Sequence, residues 1–512
     1  MNLVSERGDA RRLAAVSATI VLAFLALLAF ASRAEAETLY WNNYGNDTLA
    51  FANVDGSGGG GLNLSGAELD APEGMAYDTV TNRIYVSSEN GGVDGEIVYV
   101  NLDGSGAGVL STPGVTVDNP EGLVLDPATR TLYWVNGGAT PEAIGWARLD
   151  GSAAGLLNTA GATVDSPYRL TLDPVGGRVY WGNVGGGTSI SFAGVDNSGG
   201  GNLNLAGATP PSDISGLAVV PELGRIYWLD GNQVSFASLG GGNGGDLNLT
   251  GGAFNSPYGL SIDPVTNKIY WANYGNGTTR EDALGFGNLG GGGGGIDIAT
   301  APLSGPQDPL LLKGPTGTGA PAITRNAVAR NELTCSQGSW AADLAGAFVY
   351  QAPRSFAYQW SQNGAAIPGA TAATLVATTP GQYACSVTAT NHTGSASQNS
   401  GVVPVKAAKV KLKTKKKAKA DPGDLVTFKV KVVNQGDLQS KKARVCVKLP
   451  KAAKDDLRKP KCKKLGPLTG LAKRTLKVRI KVKAGADQGV DKLTFQLKGT
   501  AGKAAKSRIV VR

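Results

Sequence analysis

Histidine is nearly missing from this chain: its 512 residues hold one, His392, in the stretch "TNHTG". A Ser-His-Asp triad or a His-bearing zinc site has nothing to be built from in the first 391 residues. His392 itself reads as a loop or strand-end residue. Cysteine does not occur before Cys335, so any disulfide belongs to the last third of the chain. No apolar run long enough for a membrane span follows residue 30. No phosphate-cradling glycine loop stands in a suitable strand–helix context, and no calcium loop of the EF-hand kind is present. No cofactor and no metal ligand is therefore expected. What is abundant is glycine, with 74 residues, set among alternating apolar residues. That composition suits short strands and tight turns better than helices.

Residues 1–36 carry Arg11-Arg12, an apolar run over residues 13–30, and the small residues Ala34 and Ala36. This is the pattern of a secretory signal peptide cleaved after Ala36, the alternative being an uncleaved membrane anchor. Export places the remainder outside the cytoplasm, secreted or at a bacterial cell surface or wall. It makes the four cysteines disulfide candidates, falling as the pairs Cys335/Cys385 and Cys446/Cys462. Charge is divided along the chain: residues 406–512 hold 33 Lys and Arg against 7 Asp and Glu, whereas residues 1–405 hold 16 against 33. An acidic body thus carries a basic tail module.

One phrase recurs. Residues 256–277 read "SPYGLSIDPVTNKIYWANYGNG", residues 166–182 "SPYRLTLDPVGGRVYWG" and residues 119–135 "NPEGLVLDPATRTLYWV". Aromatic anchors fall at Tyr40, Tyr85, Tyr133, Tyr180, Tyr227 and Tyr270, spaced by 45, 48, 47, 47 and 43 residues. A strand-rich period of this length signals a propeller blade. Each unit divides into four strands, which in the last full copy are "GLSID", "KIYWAN", "ALGFGNL" and "IDIAT". A third-strand aromatic stays in step (Phe51, Tyr99, Trp146, Phe192, Phe236, Phe286), followed by turn signals such as "LDGS". The first anchor lacks the preceding phrase, and a degenerate copy, "GPQDPLLLK", stands at residues 305–313. That late strand is expected to complete the first blade and close a ring of six. The aromatics then serve packing between blades.

These residues resemble the YWTD propeller of the low-density lipoprotein receptor family over residues 37–313. The matching pieces are "LYW" or "IYW", the "GLxLDP" strand and "ARLDGS". The fourth motif position is Asn43, Ser88, Asn136, Asn183, Asp230 and Asn273, so one copy keeps Asp. The resemblance implies a six-bladed ring used for extracellular protein binding and not for catalysis.

Residues 314–322 read as a linker. Residues 323–406, with "ELTCSQGSW", "FAYQW" and "GQYACSV", resemble a bacterial immunoglobulin-like domain. The resemblance implies a Cys335–Cys385 bridge, Trp360 packed on it, and Tyr383 at the tyrosine-corner spacing. Residues 407–512 alternate as strands do in "LVTFKVKVV" and "RTLKVRIKVK". They resemble the CARDB-like or conserved-repeat adhesion modules of bacterial surface proteins, with Cys446 and Cys462 closing a local loop. The expected class is all-β: a six-bladed β-propeller plus two β-sandwich domains.

A propeller ligand is expected at the channel mouth. The loops entering the inner strands carry Glu73, Glu121, Tyr168, Ser215, Tyr258 and Gln307, and loops after the aromatic strands add Tyr44 and Tyr274. The candidate ligand face is Tyr44, Glu73, Glu121, Tyr168, Tyr258 and Tyr274, suited to a polar or sugar ligand or a basic peptide; the alternative is wet surface. The run "GGNGGDLNL" at residues 241–249 misses the calcium nonapeptide pattern at Asn248 and reads as a turn. "KTKKKAK" at residues 413–419 reads as a solvated linker with strand-face lysines, or as adhesion to an anionic envelope polymer. Nucleic acid is not expected as a partner outside the cell, although free DNA would satisfy the same electrostatics. Contact with a membrane is expected only through an uncleaved N-terminal segment. The leading functional expectation is an exported, non-enzymatic binding or adhesion protein with an extracellular protein or glycan at the propeller face. The alternatives are a propeller hydrolase or lyase acting on an extracellular polysaccharide through Asp or Glu, and a purely structural spacer.

Overall fold

A computed structural model describes residues 37–89, 94–185, 187, 189–276, 283–298, 300–344 and 349–512. The expected signal segment, 1–36, lies outside them. Among the described residues no helix is long and apolar enough to cross a membrane.

The chain is all-β, and its first part is a closed ring of six four-stranded antiparallel sheets. In the second blade Pro72–Asp78 is innermost, followed outward by Arg83–Ser88, Glu96–Asn101 and Gly106–Val109. Four further blades repeat this order from Pro120, Pro167, Ile214 and Pro257. The first blade is composite: its inner strand is Pro306–Lys313, which pairs with Glu37–Asn43. Each inner strand touches the next around the ring, and Pro306–Lys313 touches Pro72–Asp78, so the circle shuts.

The aromatic repeat explains the sheets. Each anchor tyrosine sits directly opposite its third-strand aromatic, from Tyr40 and Phe51 to Tyr270 and Phe286. The tryptophans that follow five of the anchors, such as Trp134 and Trp181, are fully buried between neighbouring blades. Each third-strand aromatic in turn faces a glycine of the outermost strand: Gly60, Gly108, Gly155, Gly201, Gly245 and Gly294. At four of them, Gly108, Gly155, Gly245 and Gly294, a Cβ would strike the ring, at 2.8 Å from the Trp146 indole for Gly155 and 2.8 Å from Phe286 for Gly294. The glycine runs are therefore strands as well as turns. This corrects the expected fourth strand "IDIAT": the observed strand is Gly293–Ile296, three residues earlier, because the pairing needs the missing side chains.

The repeated acidic residues are turn formers. Asp78, Asp126, Asp173 and Asp263 each accept the backbone N–H two residues on, at 2.9 to 3.0 Å. The fourth motif position caps the loop that leads into its own blade's inner strand: Asn136 accepts from Asp118 N, Asn183 from Asp165 N and Asn273 from Asn255 N. Asp230 does the same for Ser212 and Asp213. Asn supplies the one acceptor oxygen the loop requires, so loss of Asp from the motif leaves the cap intact.

Two sandwich-like units follow. The first contains Ser355–Gln362 and Gly381–Thr390 in one sheet and Glu332–Cys335 in another. Cys335–Cys385 joins them, buried Trp360 donates to Ala372 O at 2.8 Å, and Tyr383 OH donates to Thr379 O at 2.7 Å. Residues 314–322 contribute the strand Gly317–Gly319, which pairs with Ser339–Trp340. The second unit stacks two five-stranded sheets around Phe428 and Phe495, and contains the Cys446–Cys462 disulfide. Disulfides of this kind belong to an oxidising compartment. Asp437 links the two units, accepting Arg325 Nη1 at 3.0 Å.

The first sandwich also stoppers the ring. Tyr350 is buried against Tyr77, with ring centroids 5.8 Å apart, and Val349 packs with Leu39 and Trp41. Tyr77, Leu125 and Leu172, which line a cavity together with Val349 and Tyr350, lie at the ends of their inner strands. Glu73, Glu121 and Tyr168 lie at the starts. The channel is thus covered at one end and approached from the other.

Candidate functional site

The approached end is built by the first residues of the inner strands and the loops around them. At the second position of the phrase "PxGL" the six copies place Glu73, Glu121, Tyr168, Ser215, Tyr258 and Gln307. At the third they place Gly74, Gly122, Arg169, Gly216, Gly259 and Asp308. Glycine is needed there because the strands converge: a Cβ on Gly122 would lie 2.6 Å from Leu170 N, and one on Gly259 2.5 Å from Asp308 Cα. The two copies that break the glycine column supply the centre of the site.

Arg169 is 2% exposed and forms the floor. Its Nη2 reaches Glu73 Oε2 at 3.1 Å, Tyr168 OH at 3.0 Å and Gln307 Oε1 at 3.0 Å. Its Nε and Nη1 donate to the carbonyls of Ser215 and Glu73, both at 3.3 Å. Tyr168 OH passes the polarisation on, donating to Glu73 Oε2 at 3.1 Å. Asp308 accepts Met75 N at 2.6 Å, and burial pushes its carboxyl up to about 6.

Two walls rise from this floor. On one, four tyrosines meet edge to face in sequence: Tyr168 with Tyr258 at 6.5 Å, Tyr258 with Tyr274 at 5.8 Å, and Tyr274 with Tyr44 at 6.0 Å. On the other, carboxylate oxygens of Glu73, Glu89 and Glu121 lie within 4.8 Å of one another. Asn119 donates to Glu121 Oε1 at 3.0 Å, while Oε2 is sealed from bulk solvent with no hydrogen-bond partner among the described residues. Burial, and then the Glu73 charge, push Glu121 up to about 8. Burial followed by Glu73 and Asp70 push Glu89 up to about 7. Burial also raises Glu73, with Arg169 pulling the other way. Tyr44 is raised by burial and then by Glu89 and Glu73, so the tyrosine wall stands in the field of the glutamates.

All six expected residues meet at this mouth. Sequence reasoning missed Glu89, Arg169 and Asp308. Glu89 occupies the same repeat position as Tyr44 and Tyr274, four residues after its anchor tyrosine. Arg169 and Asp308 are the two departures from an otherwise invariant glycine column within the chain. The three glutamates could ligate one hard cation through oxygen, although no metal residues were expected. The near-match at residues 241–249 is structural: Asp246 accepts from Thr209 and Ser235, tying the loop that enters the blade to its two outer strands.

No protein-family model matches the chain, and no curated protein matches it. Among solved structures it is similar to a chain of a nidogen/laminin complex, at 16% identity over 54% of this chain and 98% of that one, with a TM-score of 0.41. It is also similar to a gluconolactonase from Xanthomonas campestris, at 16% identity over 57% and 88%, TM-score 0.37. A third is a chain of the hydrazine synthase of Kuenenia stuttgartiensis, at 16% identity over 48% and 75%, TM-score 0.35. The blade count rests on the strand pairing described above.

Proposed function

We propose that the chain is an exported binding protein whose propeller mouth captures a cationic group, and whose basic C-terminal module associates with an anionic envelope polymer. The carrying observation is the mouth itself: three clustered glutamates, one offsetting arginine, and a facing tyrosine wall. Carboxylates crowded at this distance repel and resist ionisation, and an ammonium group inserted among them relieves that cost. Tyrosine faces attract the same group through their ring quadrupoles. The ligand class is a basic peptide side chain or an amino sugar. The YWTD-like, immunoglobulin-like and CARDB-like readings of the three units belong to this proposal, as does an adhesive role outside the cell.

Calorimetric titration of the full chain with a lysine-rich peptide, a chitosan oligomer and Ca2+ alone tests it. Because Glu89 and Glu121 must lose protons to receive a cation, affinity for the lysine-rich peptide, which stays charged throughout, should rise roughly tenfold or more between pH 6 and pH 9; the amino-sugar oligomer loses its own charge over that range and is compared at pH 6 alone. Glu121→Gln should remove most of that rise. Binding of Ca2+ with no response to either amine would overturn the reading.

A second reading, a hydrolase or lyase of an extracellular polysaccharide, is favoured by one observation. Glu121 holds its proton to about 8 within reach of other carboxylates, the pairing a glycosidase uses. Its weakness is that Glu73 is already engaged by Tyr168 and Arg169. Release of reducing ends from a polysaccharide panel, abolished in Glu121→Gln, would establish it.

A further inference from the structure

The C-terminal sandwich is basic on both of its outward faces. On one sheet Lys413 stands directly opposite Lys431, and Lys429 opposite Lys477, all exposed. On the other, Lys417, Arg508 and Lys492 lie in register across three neighbouring strands. Lys464, Arg444 and Lys498 do the same across another three. Like charges placed directly opposite destabilise a sheet. No acidic residue stands opposite them in register. The strands of the two sheets contain one acidic residue, Asp491, which points inward and is 7% exposed. Among the described residues no ion pair includes a Lys or Arg of residues 407–512.

The pattern fits a partner with regularly repeated negative charge. Same-face side chains recur every ~6.8 Å along a strand and every ~4.8 Å across strands, so each face is a grid of cations. The module has two aromatic residues, Phe428 and Phe495, both fully buried, so neither face offers a platform for stacking bases. It has no amphipathic helix to lie in a bilayer surface; its one helix is the four-residue Ala453–Asp456. Sheets of a sandwich pack about 10 Å apart and the outward side chains add to that distance. The screening length in physiological salt is about 8 Å, so occupation of one face leaves the other available.

We propose that this module holds two strands of a linear, phosphate-bearing polyanion at once, one on each face, and so cross-links the polymer; this rests on the polyanion association proposed above. Binding on a single face would make the module a foot, whereas binding on both makes it a clamp between chains.

The test uses the full chain and two charge-neutral variants. One carries Lys429→Gln, Lys431→Gln, Lys477→Gln and Arg479→Gln; the other carries Lys417→Gln, Arg444→Gln, Lys492→Gln and Arg508→Gln. These positions are exposed, so folding should survive, as circular dichroism would verify. Titration with a short linear polyphosphate should show two sites in the parent, one in each variant and none in the combination. Long-chain polyphosphate should make the parent turbid and leave each variant bound but clear. With about four charges engaged per face, affinity should fall roughly 50-fold between 50 and 200 mM salt. One site in the parent, lost in one variant and kept in the other, overturns the cross-linking and leaves polyanion association standing. No binding by the parent overturns both. Tighter binding to an oligothymidylate of equal charge, or to anionic lipid vesicles, overturns the choice of partner.

Discussion

Replacing Arg169 by methionine tests whether the cation at the channel floor holds the mouth together. The substitution removes five polar contacts at once. It leaves the Glu73 carboxylate without its counter-charge, and Gln307 Oε1 and the Ser215 carbonyl without their donor. Methionine refills the aliphatic volume, so the cost is electrostatic more than steric. Removing one partner of a buried ion pair costs about 3 to 5 kcal/mol. The penalty should be largest near pH 8 and shrink towards pH 5. Burial already holds Glu73 above the ordinary carboxyl range, and without Arg169 it takes up a proton more readily as pH falls. Arg169→Met/Glu73→Gln removes the stranded charge and should recover to within about 2 kcal/mol of the parent. Urea unfolding followed by tryptophan fluorescence reports this, since six of the eight tryptophans lie in residues 37–313. Near-ultraviolet circular dichroism provides the second probe that a chain of several units requires. A loss under about 1 kcal/mol, or a double variant no more stable than the single one, would refute the reasoning.

Two further outcomes follow from buried charge. Lys313, on the closing strand, pairs with Glu37 and Asp263, each at 2.8 Å. Lys313→Met leaves the fully buried Asp263 without its cation and should lower stability by about 3 kcal/mol, seen as a depressed thermal midpoint; Lys313→Met/Asp263→Asn should regain most of it. Glu121 carries the opposite sign. Its proton is held more tightly in the folded chain than in the unfolded one, so its contribution is present below pH 4.5 and is lost as pH rises through about 8. Glu121→Gln should therefore flatten the stability profile between pH 5 and 8. At pH 9 it should gain roughly 2 to 3 kcal/mol, allowing for water that reaches the mouth, as denaturant midpoints across that range would show.

The ring was legible because its period is long, its anchors are aromatic and its last strand is a recognisable fragment of the repeat. The two disulfides were legible for a similar reason: each pair sits within one segment of uniform pattern. The outermost strands were harder to place, since glycine carries no hydrophobic signal and pairs there only because a ring from the neighbouring strand covers it. Six residues of the mouth could be read from loop position alone. Glu89 escaped because its copy lacks the tryptophan that marks the other anchors. Arg169 escaped because one charged residue in one repeat looks like drift until the inner strands converge and its side chain becomes their shared centre. Opposition of lysines across strands likewise depends on register, which composition does not carry.

The pairing of Pro306–Lys313 with Glu37–Asn43 has a consequence for how the molecule is made. Until residue 313 has emerged, the earliest strand presents a bare hydrogen-bonding edge, and the same edge is open to the tail of a second copy. Dilute chains shut upon themselves, whereas concentrated ones can trade tails and assemble as exchanged pairs. The yield of single rings on refolding should therefore depend on concentration.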